Sequence, residues 1–161
     1  MAGYFEALDV ISESYSGIWV SEGDIKNLHN ILLKYSIKNK WHKGDYKQLA
    51  NAVEITYPDG TSQTIFRTAE PGNDTGRAMG NLIDWYNSEK SIHPLVKCAM
   101  FTYEFLSIHP FQDGNGRLSR LISSLILLKN GYKWIKYISC EHEIENRKGE
   151  YYRVLRSCQA G

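Results

Sequence analysis

His109, Asp113, Arg117 and Arg120 are the residues of this chain whose types and spacing could do chemistry. They fall within His109-Pro110-Phe111-Gln112-Asp113-Gly114-Asn115-Gly116-Arg117-Leu118-Ser119-Arg120, which runs straight into an apolar helix. His109 is the nearby group whose ordinary pKa suits proton abstraction near neutrality. Asp113 supplies a hard oxygen of the kind Mg²⁺ takes when phosphate and water complete its octahedron. Gly114 and Gly116 would each cost up to about 1 kcal/mol relative to Ala within a helix, so something must approach the backbone closely. The unpaired N–H groups of a first helical turn sit at the positive end of its dipole, which makes an anion the natural visitor. Arg117 and Arg120 lie three apart on one face, and their guanidinium forks suit phosphate oxygens. A Gly-x-Gly alone is usually a turn, and a His before Pro is usually a helix end. The conjunction points to phosphoryl or nucleotidyl transfer from a nucleotide to a hydroxyl. It is not a Walker P-loop, because the terminal Lys-Ser/Thr is missing.

The elements that must hold these residues are mostly helical. Phe5, Leu8, Asp9 and Ser12 begin a short amphipathic segment around 3–15. Ser21 reads as an N-cap with Asp24 in the capping-box place, followed by Ile25, Leu28, Ile31, Leu32 and Tyr35 over 22–36. Alternation in Ala52–Tyr57 and Gln63–Arg67 around Pro58-Asp59-Gly60 predicts a small β-hairpin. Helices resume over 72–88 and again from His93-Pro94, where Leu95, Val96, Ala99, Tyr103 and Leu106 are the expected buried stripe. Leu118, Leu121, Ile122, Leu125 and Leu128 then form a strongly apolar helix that Asn130-Gly131 closes. A last helix is expected over 140–157.

Bulk properties set limits. A chain of 161 residues favours one domain, and its net charge of +1 gives no field for nucleic acid. No apolar run is long enough to span a bilayer, and the N-terminus is not a signal peptide. Cys98, Cys140 and Cys158 make an odd count without framework spacing, which predicts a reduced, cytoplasmic setting. Cys140-Glu141-His142 lacks the second ligand pair of a zinc site and reads as a solvated helix start. His29 and His42 read as surface or packing residues.

At His109–Arg120 the sequence resembles the Fic domain family, whose signature His-Pro-Phe-x-Asp-Gly-Asn-Gly-Arg-x-x-Arg is matched at every defined position. The resemblance extends to Ser21–His29, to Gly44-Asp45-Tyr46-Lys47 (Gly-x-Tyr-Arg in the family), to His93-Pro94 and to Tyr151–Leu155. It implies a mainly α Fic fold over 1–161, with the hairpin as a flap over the active site. It also implies AMP transfer from Mg·ATP to a Ser, Thr or Tyr hydroxyl of a target protein. On that resemblance His109 is the general base and Asp113 binds Mg²⁺. Gly114, Asn115 and Gly116 line the anion hole, Arg117 and Arg120 hold the outer phosphates, and Tyr151 and Tyr152 lie near the adenine site. Packing of the last helix is an equal alternative for the two tyrosines. Gln63, Thr64, Ile65 and Phe66 occupy the flap positions that align a target segment by strand addition. Phe66-Arg67-Thr68-Ala69-Glu70-Pro71 departs from the family's aromatic-x-Pro-Pro-x-Pro ending.

Gly116, where Fic-like kinases of the Doc type have Lys, favours nucleotidyl transfer over phosphorylation. Another nucleotide donor, removal of AMP, and an idle module that binds nucleotide or a partner are the alternatives. The family's inhibitory Ser/Thr-x-x-x-Glu-Gly/Asn helix has no match, since Ile18 precedes Glu22-Gly23 and Glu141 precedes Glu145-Asn146 at the required spacing. Tyr4–Leu8 resembles a segment that follows this helix in longer relatives. The expectation is therefore a core trimmed of an N-terminal brake, in which Arg120 lacks a Glu partner. A separate antitoxin-like inhibitor is a further expected partner.

Overall fold

The computed structural model describes residues 2–37, 41–56 and 59–160, with the backbone alone at 53, 55, 56, 65–67, 159 and 160. The chain is mainly helical, as its periodicity predicts. The helices are α1 (Ala2–Ser14), α2 (Glu22–Leu32), α3 (Asn73–Ser88), α4 (Pro94–Ile108), α5 (Asn115–Lys129), α6 (Cys140–Asn146) and α7 (Lys148–Ala160). Strands β1 (Ala52–Thr56) and β2 (Ser62–Arg67) pair as the antiparallel hairpin between α2 and α3.

The fold is organised around α5. Its Leu118, Leu121, Ile122, Leu125 and Ile126 are each no more than 1 % exposed. A helix buried on this many sides must be surrounded, and α4, α1 and α2 all pack on it. Each such side chain contributes about 1.5–3 kcal/mol. That packing fixes where the N-terminus of α5 points, and hence where the motif sits. The polar residues inside are satisfied locally: Ser119, Ser123 and Ser124 donate to the carbonyls of Gly116, Ser119 and Arg120.

Ser21 caps α2 as predicted, accepting from the Asp24 N–H at 3.2 Å. The Asp24 carboxylate accepts from the Trp19 N–H and the Ser21 hydroxyl. Helix α2 stops at Leu32, short of the predicted end at 36, because Lys34 and Ser36 close tighter turns and Tyr35 faces solvent. His93 Nδ1 accepts from the Leu95 N–H, with Pro94 in the first turn of α4.

The predicted stripe of α4 is wrong in phase. Leu95, Val96 and Ala99 are exposed and Tyr103 is half-buried; of the expected stripe Leu106 alone is buried, beside Cys98, Phe101, Phe105 and Ile108. Apolar residues surround this helix, so periodicity alone could not choose its inner face. The expected last helix is two: α6 ends at Asn146 with Arg147 as its C-cap, and α7 starts at Lys148. A 3₁₀ turn at Lys133–Tyr137 leads the chain back towards the motif.

In the hairpin Val53 faces Phe66 and Glu54 faces Thr64, which leaves Ile65 as the extra residue of a β-bulge. Asp59 Oδ1 accepts from both the N–H and the hydroxyl of Thr61. Tyr57 and Pro58 of the predicted hairpin lie outside the described residues.

Candidate active site

Helix α4 ends before Pro110, as the restricted residue ahead of a proline requires. His109 is its C-cap, at φ 51 and ψ 59, and is the one non-glycine residue with positive φ among those described. Such a conformation costs of order 1–3 kcal/mol and persists where surroundings over-determine it. His109 Nδ1 lies 3.2 Å from the Leu106 carbonyl. A carbonyl only accepts, so Nδ1 carries the hydrogen and the Nε2 lone pair remains for a substrate. Burial, helped by the Lys47 charge, pushes the imidazole down to about 4 against the pull of the Leu106 carbonyl and Asp113. His109 is therefore neutral at pH 7, the state a base requires.

Phe111 anchors the loop. It is fully buried and stacks on His29 with ring centroids 3.9 Å apart and planes 20° apart. His29 Nδ1 accepts from the Gly44 N–H at 3.0 Å, so its Nε2 carries the hydrogen and donates to the Asp113 carbonyl at 2.9 Å. Burial holds His29 down to about 4. His29, expected at a surface or packing position, is instead a buried clamp on the motif loop. The signal was its position on the same α2 face as Ile25, Leu28 and Leu32.

Gly114 begins α5 with φ 82, and a Cβ there would meet Leu32 Cδ2 at 3.3 Å. No side chain caps this helix start. Asn115 is 2 % exposed, and its amide turns inward, accepting from the Phe111 N–H at 2.9 Å and donating to the Phe111 carbonyl at 2.7 Å. What Asn115 can present to an anion is thus its backbone N–H. Asp113 Oδ1 accepts from the Gly114 N–H at 2.6 Å, and Oδ2 lies 3.5 Å from Arg117. The Asp113 side chain is 49 % exposed. Among the described residues no three His, Cys, Asp or Glu form a metal cage. One accessible carboxylate suits Mg²⁺, which keeps water and phosphate oxygens for its other positions.

Arg120 passes over this helix start, its Nη1 3.5 Å from where a Gly116 Cβ would be. Contrary to expectation it has a glutamate partner. Glu141, on the first turn of α6, takes Arg120 Nε at 2.5 Å and Nη2 at 2.8 Å. The buried Tyr4 hydroxyl bonds the same guanidinium. The sequence pattern sought a Glu ahead of Gly or Asn, whereas the 3₁₀ turn delivers a different one from the C-terminal side.

Tyr151 and Tyr152 meet edge to face at 5.5 Å and pack against Leu106 and Leu155. Tyr151 also lies in the field of Arg120. In the flap, Gln63 accepts from Arg156 of α7 at 3.3 Å, and Thr64 is exposed. Ile65 and Phe66 have described backbone only, so their side-chain roles lie outside the described residues.

These features define a helical class of protein built around one His-to-Arg motif at a helix start, with a hairpin beside it. The Fic/DOC family profile matches residues 19–127, and the chain belongs to that family. It is 44% identical over 145 residues to a protein adenylyltransferase Fic of Culex quinquefasciatus, covering 80% of this chain and 28% of that protein. A counterpart from Aedes aegypti is 42% identical over the same shares. A Fic family protein from Desulfovibrio desulfuricans superposes with TM-score 0.74 at 31% identity, over 97% of this chain and 44% of its own. A Fic domain containing signaling protein from Bacteroides thetaiotaomicron gives 0.64 at 29%, over 80% and 47%. The chain thus spans less than a third of those curated relatives and under half of those solved chains.

Proposed function

We propose that this chain is a protein adenylyltransferase that moves AMP from Mg·ATP to a Ser, Thr or Tyr hydroxyl of a target protein. The observation that carries the reading is His109, its Nδ1 turned to the Leu106 carbonyl so that Nε2 is left for a substrate, held just before an uncapped, glycine-opened helix start. The names of the relatives from Culex and Aedes support the same activity. In the reaction the hydroxyl oxygen bonds to the α-phosphorus, the bond to pyrophosphate breaks, and the hydroxyl proton goes to His109 Nε2. Asp113 would hold Mg²⁺, which supplies charge neutralisation to the phosphates. Backbone N–H groups at Asn115 and Gly116, with that of Gly114 once Asp113 Oδ1 releases it, hold the α- and β-phosphates, and Arg117 and Arg120 the outer ones. Tyr151 and Tyr152 line the adenine side. Gln63 to Phe66 add a strand of the target.

Glu141 bears on this reading directly. A guanidinium bonded at Nε and Nη2 by a carboxylate cannot present that bidentate edge to a phosphate. Two-point engagement of ATP by that edge therefore requires displacing Glu141, while Nη1 stays over the helix start. The site therefore carries its own competitor, in addition to any separate inhibitory segment or partner.

Mass spectrometry after incubation with Mg·ATP tests the reading. A gain of one AMP on this protein or on a lysate protein is expected, and it should vanish in His109→Ala. Tight ATP binding with no transfer to any protein would leave the chain a nucleotide-binding module.

A further inference from the structure

Lys47 is 1 % exposed, an unusual place for a lysine. Its ammonium meets three neutral oxygens: Asn51 Oδ1 at 2.8 Å, Thr68 Oγ1 at 3.0 Å and the Ile108 carbonyl at 3.1 Å. Those three atoms belong to three different pieces of the active site. Asn51 leads into β1, Thr68 follows β2, and Ile108 is the last residue of α4 before His109. The contacts continue outward. The Lys47 N–H donates to the Pro110 carbonyl at 2.8 Å, and Asn51 Nδ2 donates to the Phe111 carbonyl at 2.9 Å. The Thr68 hydroxyl donates to the Asn51 carbonyl at 2.6 Å. Both roots of the hairpin are thus tied to the loop that carries the strained His109, and one buried cation is the common donor.

We infer that Lys47 is a positioning residue, setting the flap's register against His109 by pinning both hairpin roots to the end of α4. The inference rests on His109 as the base and on the flap as the platform for the target. Three features argue for it over a lysine that merely fills the core. A buried charge without a carboxylate in contact is costly, and an apolar side chain would fill the same space without that penalty. Its three donors converge on elements that no apolar contact would hold in register. The ammonium also satisfies a carbonyl of the last turn of α4, the turn whose end sets the His109 conformation. Target alignment by strand addition fixes the attacking hydroxyl only if the flap itself is fixed relative to the base.

The test compares Lys47→Met, Lys47→Arg and Thr68→Val in the 161-residue chain, with two readouts that need no substrate. Amide hydrogen exchange in β1 and β2 should quicken roughly tenfold in Lys47→Met, the equivalent of one lost buried hydrogen bond. Exchange in α1 and α5 should keep its wild-type rate. The ¹⁵N signals of the His109 imidazole should lose their single Nδ1–H pattern in Lys47→Met and regain it in Lys47→Arg. With Mg·ATP, turnover should fall in Lys47→Met while KM for ATP stays within about twofold, since Lys47 reaches no part of the phosphate site. Should the wild type transfer nothing, the functional reading fails, and the exchange and imidazole data still decide the role of Lys47. Should Lys47→Met not fold, Thr68→Val carries the same two readouts with a smaller effect. Unchanged flap exchange and imidazole signals in a folded variant would overturn the inference, as would exchange that quickens equally in every helix.

Discussion

Arg120 and Glu141 are joined at two points, Nε to Oε2 and Nη2 to Oε1, across 21 residues of sequence. The Arg120 side chain is 15 % exposed and that of Glu141 34 %, so the pair sits at the edge of solvent rather than in it. It joins the helix that begins the site to a short helix that nothing else in the motif requires. If Arg120 is to hold a phosphate through its Nε–Nη2 edge, this contact must open, and its strength becomes a term in nucleotide affinity.

Glu141→Gln should therefore bind ATP more tightly than the wild type. An ion pair at this exposure is worth about 1 kcal/mol, which corresponds to roughly fivefold in affinity. Isothermal titration with Mg·ATP measures it, and Arg120→Ala in the same series should weaken binding. Equal affinity in the wild type and Glu141→Gln would mean that ATP does not compete with Glu141, and unchanged affinity in Arg120→Ala would remove Arg120 from the outer phosphates.

His109 supplies the second prediction. Burial keeps its imidazole down to about 4, so the fraction of neutral base does not change near the ordinary histidine value. The rate of AMP transfer should stay level from pH 8 down through 6.5 and fall only as pH approaches that lower value. His109→Ala should lower turnover by about 10²–10⁴-fold while leaving ATP affinity intact. A rate that halves near pH 6.5 would mean that the imidazole is solvated when it acts.

His29 makes the fold itself sensitive to acid. Its value drops from the ordinary 6.5 to about 4 on folding, chiefly through burial. Between those pH values the unfolded chain binds the proton and the folded chain does not. Its contribution is thus complete above pH 6.5, declines as pH falls towards 4, and changes no further below that. The full span is about 3 kcal/mol. Urea unfolding at pH 7.5 and 4.5 should show this decline, and His29→Gln should show a shallower one. A protonated His29 would also face the Gly44 N–H donor, so the motif loop is expected to loosen first.

How much of this was legible in the sequence depends on the range of the interactions. Ser21 as a cap, the hairpin between Ala52 and Arg67, and α5 with its glycine opening follow from local pattern, and the structure has them. The inner face of α4 did not follow, because a helix apolar all round carries no phase. His29, Lys47 and Glu141 were missed as site residues for one shared reason. Each acts on the motif from 21 or more residues away, through contacts that exist only once the helices are packed. Residue type announces a catalytic group, whereas a clamp on a backbone carbonyl can be almost any buried donor.

The two glycines of the motif should separate stability from chemistry. Gly114 has φ 82, and a Cβ there would press on Leu32 Cδ2 at 3.3 Å. Gly114→Ala is therefore strained by its backbone as well as its neighbour, and a loss of about 1–2 kcal/mol in stability is expected. Gly116 lies inside α5 with no positive φ, and its added Cβ would meet only the far end of Arg120 at 3.5 Å. Gly116→Ala should hold or raise stability by up to about 1 kcal/mol, as Ala does within a helix. Yet it puts a methyl group between the first-turn N–H groups and any anion that approaches them. Thermal unfolding should thus rank Gly116→Ala at or above the wild type and Gly114→Ala below it, while ATP binding falls in both. If Gly116→Ala binds ATP as tightly as the wild type, the close backbone approach at α5 is not where the phosphates lie.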